Sequence, residues 1–210
     1  FTAIDLMRNP TVRELAQVAA HVNDTAADND RPDDTQMAWP AAVDGAFKEA
    51  FVDVYPATKM QQFMFEQSAR DDGALGLYHV QSVSCVTADA LRVDLWVTAL
   101  EQLHDAHPLL RTAFFWAPCT DQPGTAPQLH QGVMGKYAPQ VTRHDLRAVE
   151  PKEQEAIVRQ AMADDLTKPF AVDHTVPIRY QLFITSDREL RFFISNHHAV
   201  RDGWGRVLLL

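Results

Sequence analysis

Two apolar runs, Ile178 to Ile184 and Leu190 to His198, lie either side of a short polar turn, Ser186 to Glu189. Strand formers bracketing a turn of that length predict a β-hairpin, which commits this end of the chain to a sheet. Side chains alternate between the two faces of a strand. Leu190, Phe192, Ile194, Asn196 and His198 are therefore expected on one face, and Arg191, Phe193, Ser195 and His197 on the other. The adjacent histidines then point opposite ways, so only one of them can sit at a reacting centre. Asp202 follows His198 by four residues, and Asp202-Gly203 precedes an apolar run, Val207 to Leu210, that reads as the start of a buried helix. An Asp at such a junction either caps the helix or pairs with a cation, and both roles would hold the loop that presents His198.

Upstream, helix and strand patterns alternate. Residues 57 to 69 suit a helix and Tyr78 to Val86 a strand. Thr87 to about Ala106 reads as a helix with Leu91, Leu95, Ala99 and Leu103 at four-residue steps. Leu109 to Trp116 reads as a strand, followed by a Pro/Gly/Thr-rich loop at Pro123 to Pro127. Weaker strands fall near Gln128 to Val133 and Pro139 to His144, and Pro151 opens a helix that runs to about Leu166. The sum is an α/β fold, a mixed sheet with flanking helices.

The first part of the chain is different. Residues 9 to 22 form an amphipathic helical pattern, with Asn9-Pro10 at its start and Val12, Leu15, Ala16, Ala19 and Val22 on one face. From Asn23 the composition turns to Asp, Asn, Thr, Ala and Pro without apolar periodicity, as in a solvated tether. Three segments are expected: 1–22, the end of one domain; 23–40, a linker; and 41–210, a second domain that is not complete.

Composition narrows the function. With 46% apolar and 22% charged residues the chain matches soluble globular proteins. It has no apolar run long enough to span a membrane and no signal-peptide layout, so a cytoplasmic location and no membrane partner are expected. A net charge of -9 without a basic stripe argues against nucleic acid. Cys85 and Cys119 stand at no metal-ligand spacing and are expected to be reduced thiols.

By themselves, His197 and His198 have two further readings: polar residues closing a strand, or metal ligands together with Asp202. The opposed faces of neighbouring strand residues weigh against the metal. The surrounding residues supply a third reading. Ser195-Asn196-His197-His198-Ala199-Val200-Arg201-Asp202-Gly203-Trp204 resembles the HHxxxDG signature of nonribosomal peptide synthetase condensation domains. Phe170-Ala171-Val172-Asp173 and Pro177-Ile178-Arg179 resemble the FDL…P-L-R stretch ahead of it. His107-Pro108-Leu109-Leu110-Arg111-Thr112-Ala113-Phe114 is similar to RHxxLRTxF, and Tyr55-Pro56-Ala57-Thr58-Lys59-Met60-Gln61 to the YPxTxMQ opening. The matches occur in family order. Ile4 to Ala16 is similar to the closing helix of a carrier (thiolation) domain, which makes 1–22 a carrier end.

The resemblance implies a chloramphenicol acetyltransferase-like lobe, the N-terminal half of a two-lobe domain with its active site in a tunnel between lobes. It implies amide formation between a carrier-bound acyl or peptidyl donor and an aminoacyl acceptor. Carrier domains and adjacent synthetase domains would be the partners, and the substrates would ride on carrier phosphopantetheine. No cofactor-bearing residue and no metal is implied for this chain. His198 would be catalytic, since an imidazole ordinarily titrates near pH ~6.5 and suits proton transfer with an amine. His197 would be structural, and the Gly203 N–H a donor to the oxyanion. Arg111 would anchor Asp202, ahead of Arg179 and Arg201, because Ala106 replaces the usual arginine of RHxxLR. Asn196 and Gly205 also depart from the pattern. The alternatives are an epimerization domain, a non-catalytic docking platform, and an ester-forming or chain-releasing condensation domain. The residues Gly203-Trp204-Gly205 favour condensation over epimerization. The isolated chain is not expected to catalyse the reaction.

Overall fold

The computed structural model describes residues 49–71, 76–118, 126–203 and 205. The expectations for 1–22 and 23–40 lie outside the described residues, as does most of the helix expected after Gly203. The described elements run β1 (Phe51–Pro56), α1 (Lys59–Asp71), β2 (His79–Thr87), α2 (Val93–Ala106), a 3₁₀ turn (Pro108–Arg111), β3 (Thr112–Ala117), β4 (Gln128–Met134), β5 (Val141–Asp145), α3 (Pro151–Leu166), β6 (Ile178–Ser186), β7 (Glu189–His197) and a second 3₁₀ turn (His198–Val200). None of the described helices is long and apolar enough to cross a membrane.

The predicted hairpin is β6–β7, and its two strands become the inner pair of a four-stranded sheet, β2-β7-β6-β5. The sheet is mixed: β5 pairs in parallel with β6, the other neighbours are antiparallel. A parallel pair needs a long crossover, and α3 supplies it, opened by Pro151 where the missing N–H costs nothing. Because β7 is flanked on both sides and covered on both faces, Phe192 to His197 are all buried. Alternation holds through this stretch. Leu190, Phe192 and Ile194 join one core with Ile178, Tyr180 and Leu182, while Phe193 packs with Phe183, Val158 and Leu146 beneath α3. Each such side chain contributes about 1.5 to 3 kcal/mol by leaving water.

A second sheet, β1-β4-β3, is antiparallel and separate from the first among the described residues. Residues 51–56, for which no strand was expected, form its edge, and Phe51 stacks on Phe115 with ring centroids 5.7 Å apart. That ring leaves no room at Gly132, where a Cβ would lie 2.9 Å from two Phe51 ring carbons. Gly132→Ala is expected to destabilise the chain by about 1 to 3 kcal/mol, measured by urea unfolding.

The helix expected from Thr87 begins at Val93. Thr87 instead ends β2 opposite Glu189, and the amides of Ala88 and Leu91 donate to the β6–β7 turn carbonyls of Arg188 and Asp187. Its buried face also differs: Val93, Trp96, Val97, Leu100 and His104 face the core, while Leu95 is 54% exposed. Of the expected stripe, Leu95 and Ala99 are exposed while Leu103 packs against the core, because a strict four-residue step gains about 40° per turn and does not follow one helix face.

Candidate active site

Strand β7 delivers three polar residues, Ser195, Asn196 and His197, into a fully buried position, and each needs partners there. His197 has them on every side. Its Nδ1 accepts the Ala199 amide at 3.2 Å, so its proton sits on Nε2, which donates to Ser68 Oγ at 2.8 Å. The Ser68 hydroxyl in turn faces the carbonyls of Met64 and Leu77. The ring lies flat on Phe65, centroids 3.9 Å apart and planes 4° from parallel. Burial, then repulsion from His198 and His79, pushes its pKa down to about 4. His197 is a neutral packing element at pH 7.

Asn196 faces the opposite side. Its Nδ2 donates to the His197 carbonyl at 2.9 Å, and its buried Oδ1 has no hydrogen-bond partner.

His198 is not on the strand. β7 ends at His197, and His198 begins the 3₁₀ turn to Val200, so alternation does not reach it. Its amide donates to the Tyr78 carbonyl at 2.7 Å, which fixes the backbone. The half-buried ring makes no hydrogen bond among the described residues, and its Nδ1 is a buried atom without a partner. One of two adjacent imidazoles is thus saturated and the other uncommitted.

Asp202 caps the helix that starts at Gly203: its Oδ1 accepts the Gly205 amide at 2.7 Å. Gly205 is suited to this approach, since a Cβ there would stand 3.3 Å from Asp202 Oδ1 and Arg201 Cγ. The expected anchoring of Asp202 by Arg111 is not formed. β3 pairs with β4 so that Thr112 lies opposite Val133, which sets Arg111 beside Met134, and its guanidinium donates to the Met134 carbonyl. The other arginines are engaged elsewhere, Arg179 with Asp165 at 2.9 Å and Arg201 with Ser82 Oγ at 3.2 Å. Asp202 has no ion pair among the described residues. Nor do any three His, Cys, Asp or Glu side chains there converge as a metal ion would require.

The family model of the condensation domain matches residues 52–210. The chain belongs to the condensation-domain family. A linear gramicidin synthase of Brevibacillus parabrevis is 29% identical over 93% of this chain, which spans 2% of that relative's length. Bacitracin synthase 3 of Bacillus licheniformis is 24% identical over 75% of the chain and 2% of its own length. Among solved structures, a variant of the starter condensation domain of the rhizomide synthetase RzmA superposes with a TM-score of 0.62 at 19% identity, covering 75% of this chain and 35% of that one. The four-domain nonribosomal peptide synthetase holo-AB3403 gives 0.60 at 18%, covering 84% and 12%. These structures establish the shared fold, a chloramphenicol acetyltransferase-like α/β lobe.

Within this condensation-domain fold, the Tyr55 to Gln61 segment has a physical task. Thr58 Oγ1 accepts the Gln61 amide at 3.2 Å while Gln61 Oε1 accepts the Thr58 amide at 2.9 Å, a reciprocal capping box that starts α1. The Gln61 Nε2 then reaches across to the Ala199 carbonyl at 3.2 Å. A capping residue thus holds the turn behind His198. The Thr-x-x-Gln spacing was the signal in the sequence; the second contact spans 138 residues and no local pattern encodes it.

Proposed function

We propose that this chain supplies the histidine-bearing lobe of a condensation active site that joins a carrier-bound acyl or peptidyl donor to a carrier-bound aminoacyl acceptor. The observation that carries this reading is the contrast between His197, with both ring nitrogens engaged, and His198, with neither engaged among the described residues. The acceptor amine attacks the donor thioester carbonyl, and its nitrogen forms the new bond to carbon. His198 takes the proton released from that nitrogen. The Gly203 N–H, at a helix start where no intrahelical partner exists, donates to the oxyanion. Collapse breaks the carbon–sulfur bond and the departing thiolate of the donor phosphopantetheine arm receives the proton from His198. The second lobe of the family fold is assigned the opposite wall of the tunnel, and carrier domains of a modular synthetase are the partners.

The test is a complete condensation domain built on this chain, supplied with both loaded carriers. Mass spectrometry is expected to find amide on the acceptor arm and free thiol on the donor arm; no amide with both carriers loaded would sink the reading. Gly203 offers a finer probe. It is exposed, and a Cβ there meets no atom within 4 Å. Gly203→Ala is therefore expected to keep or slightly raise the melting temperature and to lower the initial rate by about tenfold, because the methyl enters the carbonyl's approach. An unchanged rate would remove Gly203 from the oxyanion role.

A further inference from the structure

The carboxylate of Asp165, near the end of α3, is 5% exposed and gathers donors from three strands. Its Oδ2 accepts from His79 Nε2 at 3.0 Å and Gln81 Nε2 at 2.9 Å, both on β2, and from the Ser195 hydroxyl on β7. Its Oδ1 faces Arg179 Nε of β6 at 2.9 Å. Because Ser195 gives its proton to the carboxylate, the His79 Nε2–H, also 2.7 Å from Ser195 Oγ, is shared between the two acceptors. The register explains the convergence. Gln81, Ser195 and Arg179 are cross-strand partners in one row of the sheet, and His79 with His197 forms the next row on the same face, two residues along. Phe170 closes the cluster, its ring 4.0 Å beneath the Arg179 guanidinium and edge-on to His79.

We infer that Asp165 is a positioning residue for the His198 site: it pins β2, β6 and β7 at the row two residues before His197, and so sets the point from which the His198 turn leaves the sheet. The inference rests on His198 being the catalytic group. Three observations favour positioning over general adhesion. The strands are already joined here by backbone hydrogen bonds, so the buried charge is not needed to pair them. A buried carboxylate costs free energy unless saturated with donors, and this one draws them from that row and from His79 in the neighbouring row of the same face. Both routes out of the cluster reach His197 through the backbone, one along β7 from Ser195 two residues before it, the other across the sheet from His79, its cross-strand partner. Burial tends to raise the Asp165 pKa, but the hydrogen bonds of His79, Ser195 and Gln81 and the charge of Arg179 outweigh it and hold the group at about 2, so the clamp stays ionised at neutral pH.

The test uses Asp165→Asn, with Asp164→Asn as control because Asp164 is exposed and its carboxylate bonds only Gln160, one turn back on the same helix, among the described residues. In the 210-residue chain, two-dimensional proton–nitrogen NMR of the imidazoles is expected to show displaced His79, His197 and His198 ring signals in the folded Asp165 variant and none in the control. In a complete condensation domain the variant is expected to lose about 10- to 100-fold in kcat with KM for both carriers unchanged. Ser195→Ala, which removes one donor and keeps the carboxylate, serves if Asp165→Asn does not fold, and is expected to move the same signals by less. Unmoved His197 and His198 signals in a folded variant, or a lower melting temperature with kcat unchanged, overturn the inference. A wild-type domain that forms no amide would instead defeat the proposed function, and the NMR arm would still decide whether Asp165 sets the rings.

Discussion

His198→Ala in a complete condensation domain is expected to lower amide formation by about 10² to 10⁴-fold, the usual worth of a positioned base, without disturbing the fold. The ring makes no hydrogen bond among the described residues and its buried Nδ1 is unsatisfied, so truncation removes no bond and one desolvated atom. The expected stability change is under about 1 kcal/mol, read from chemical denaturation. His197→Ala is expected to fail in the opposite way. It leaves the Ala199 amide and the Ser68 hydroxyl short of a partner and opens a cavity over Phe65, so stability falls before any rate can be compared. Product formation that survives His198→Ala would take the proton transfer away from His198, whereas no amide even from the unsubstituted domain would favour the docking-platform alternative, in which the domain recruits carriers without doing chemistry.

The hairpin and α3 were legible because their signals are local. Ile178 to His198 carries its own turn, and Pro151 marks a start that the structure keeps to the residue. What escaped depends on partners distant in sequence. Residues 51–56 become a strand because Gln128 to Met134 offers an edge, and a run of six with three exposed positions gives little pattern of its own. The misread start of α2 has the same origin, since Thr87 and Ala88 are held by the β6–β7 turn about a hundred residues later. At the site, the His-His pair was visible, but alternation extended one residue too far, past the point where β7 loses its neighbours. Arg111 was assigned to Asp202 from its place in the RHxxLR-like motif; the 3₁₀ turn through Arg111 sends its side chain to Met134 instead. Asp165 was not legible at all. In the sequence it is one of two adjacent aspartates at a helix end, and only the sheet register reveals its three hydrogen-bond donors and its arginine.

Two buried histidines make the chain sensitive to mild acid. His104 on α2 is fully buried, with Nε2 2.9 Å from the Tyr180 hydroxyl, and burial pushes its pKa down to about 4. His197 is held equally low, by burial first and then by its histidine neighbours. In the unfolded chain both return to about 6.5, so between pH 6.5 and 4 the unfolded state binds more protons than the folded one, and stability falls as pH falls. A gap from 6.5 to about 4, at about 1.4 kcal/mol per pH unit, amounts to about 3 kcal/mol for each histidine. Together they remove a large share of the ~5 to 15 kcal/mol typical of a domain. Asp165 does not contribute in this window. Its depressed pKa of about 2 protects stability until the pH drops below its ordinary value of 3.8, and that protection is lost only toward pH 2. Urea unfolding of the 210-residue chain from pH 7 to 4 is expected to show a slope approaching about 2.7 kcal/mol per pH unit within the window. His104→Gln, which keeps a donor for Tyr180 without a titrating ring, is expected to cut that slope roughly in half. A flat profile above pH 4.5, or a slope that His104→Gln leaves unchanged, would mean that these imidazoles are not held neutral by burial.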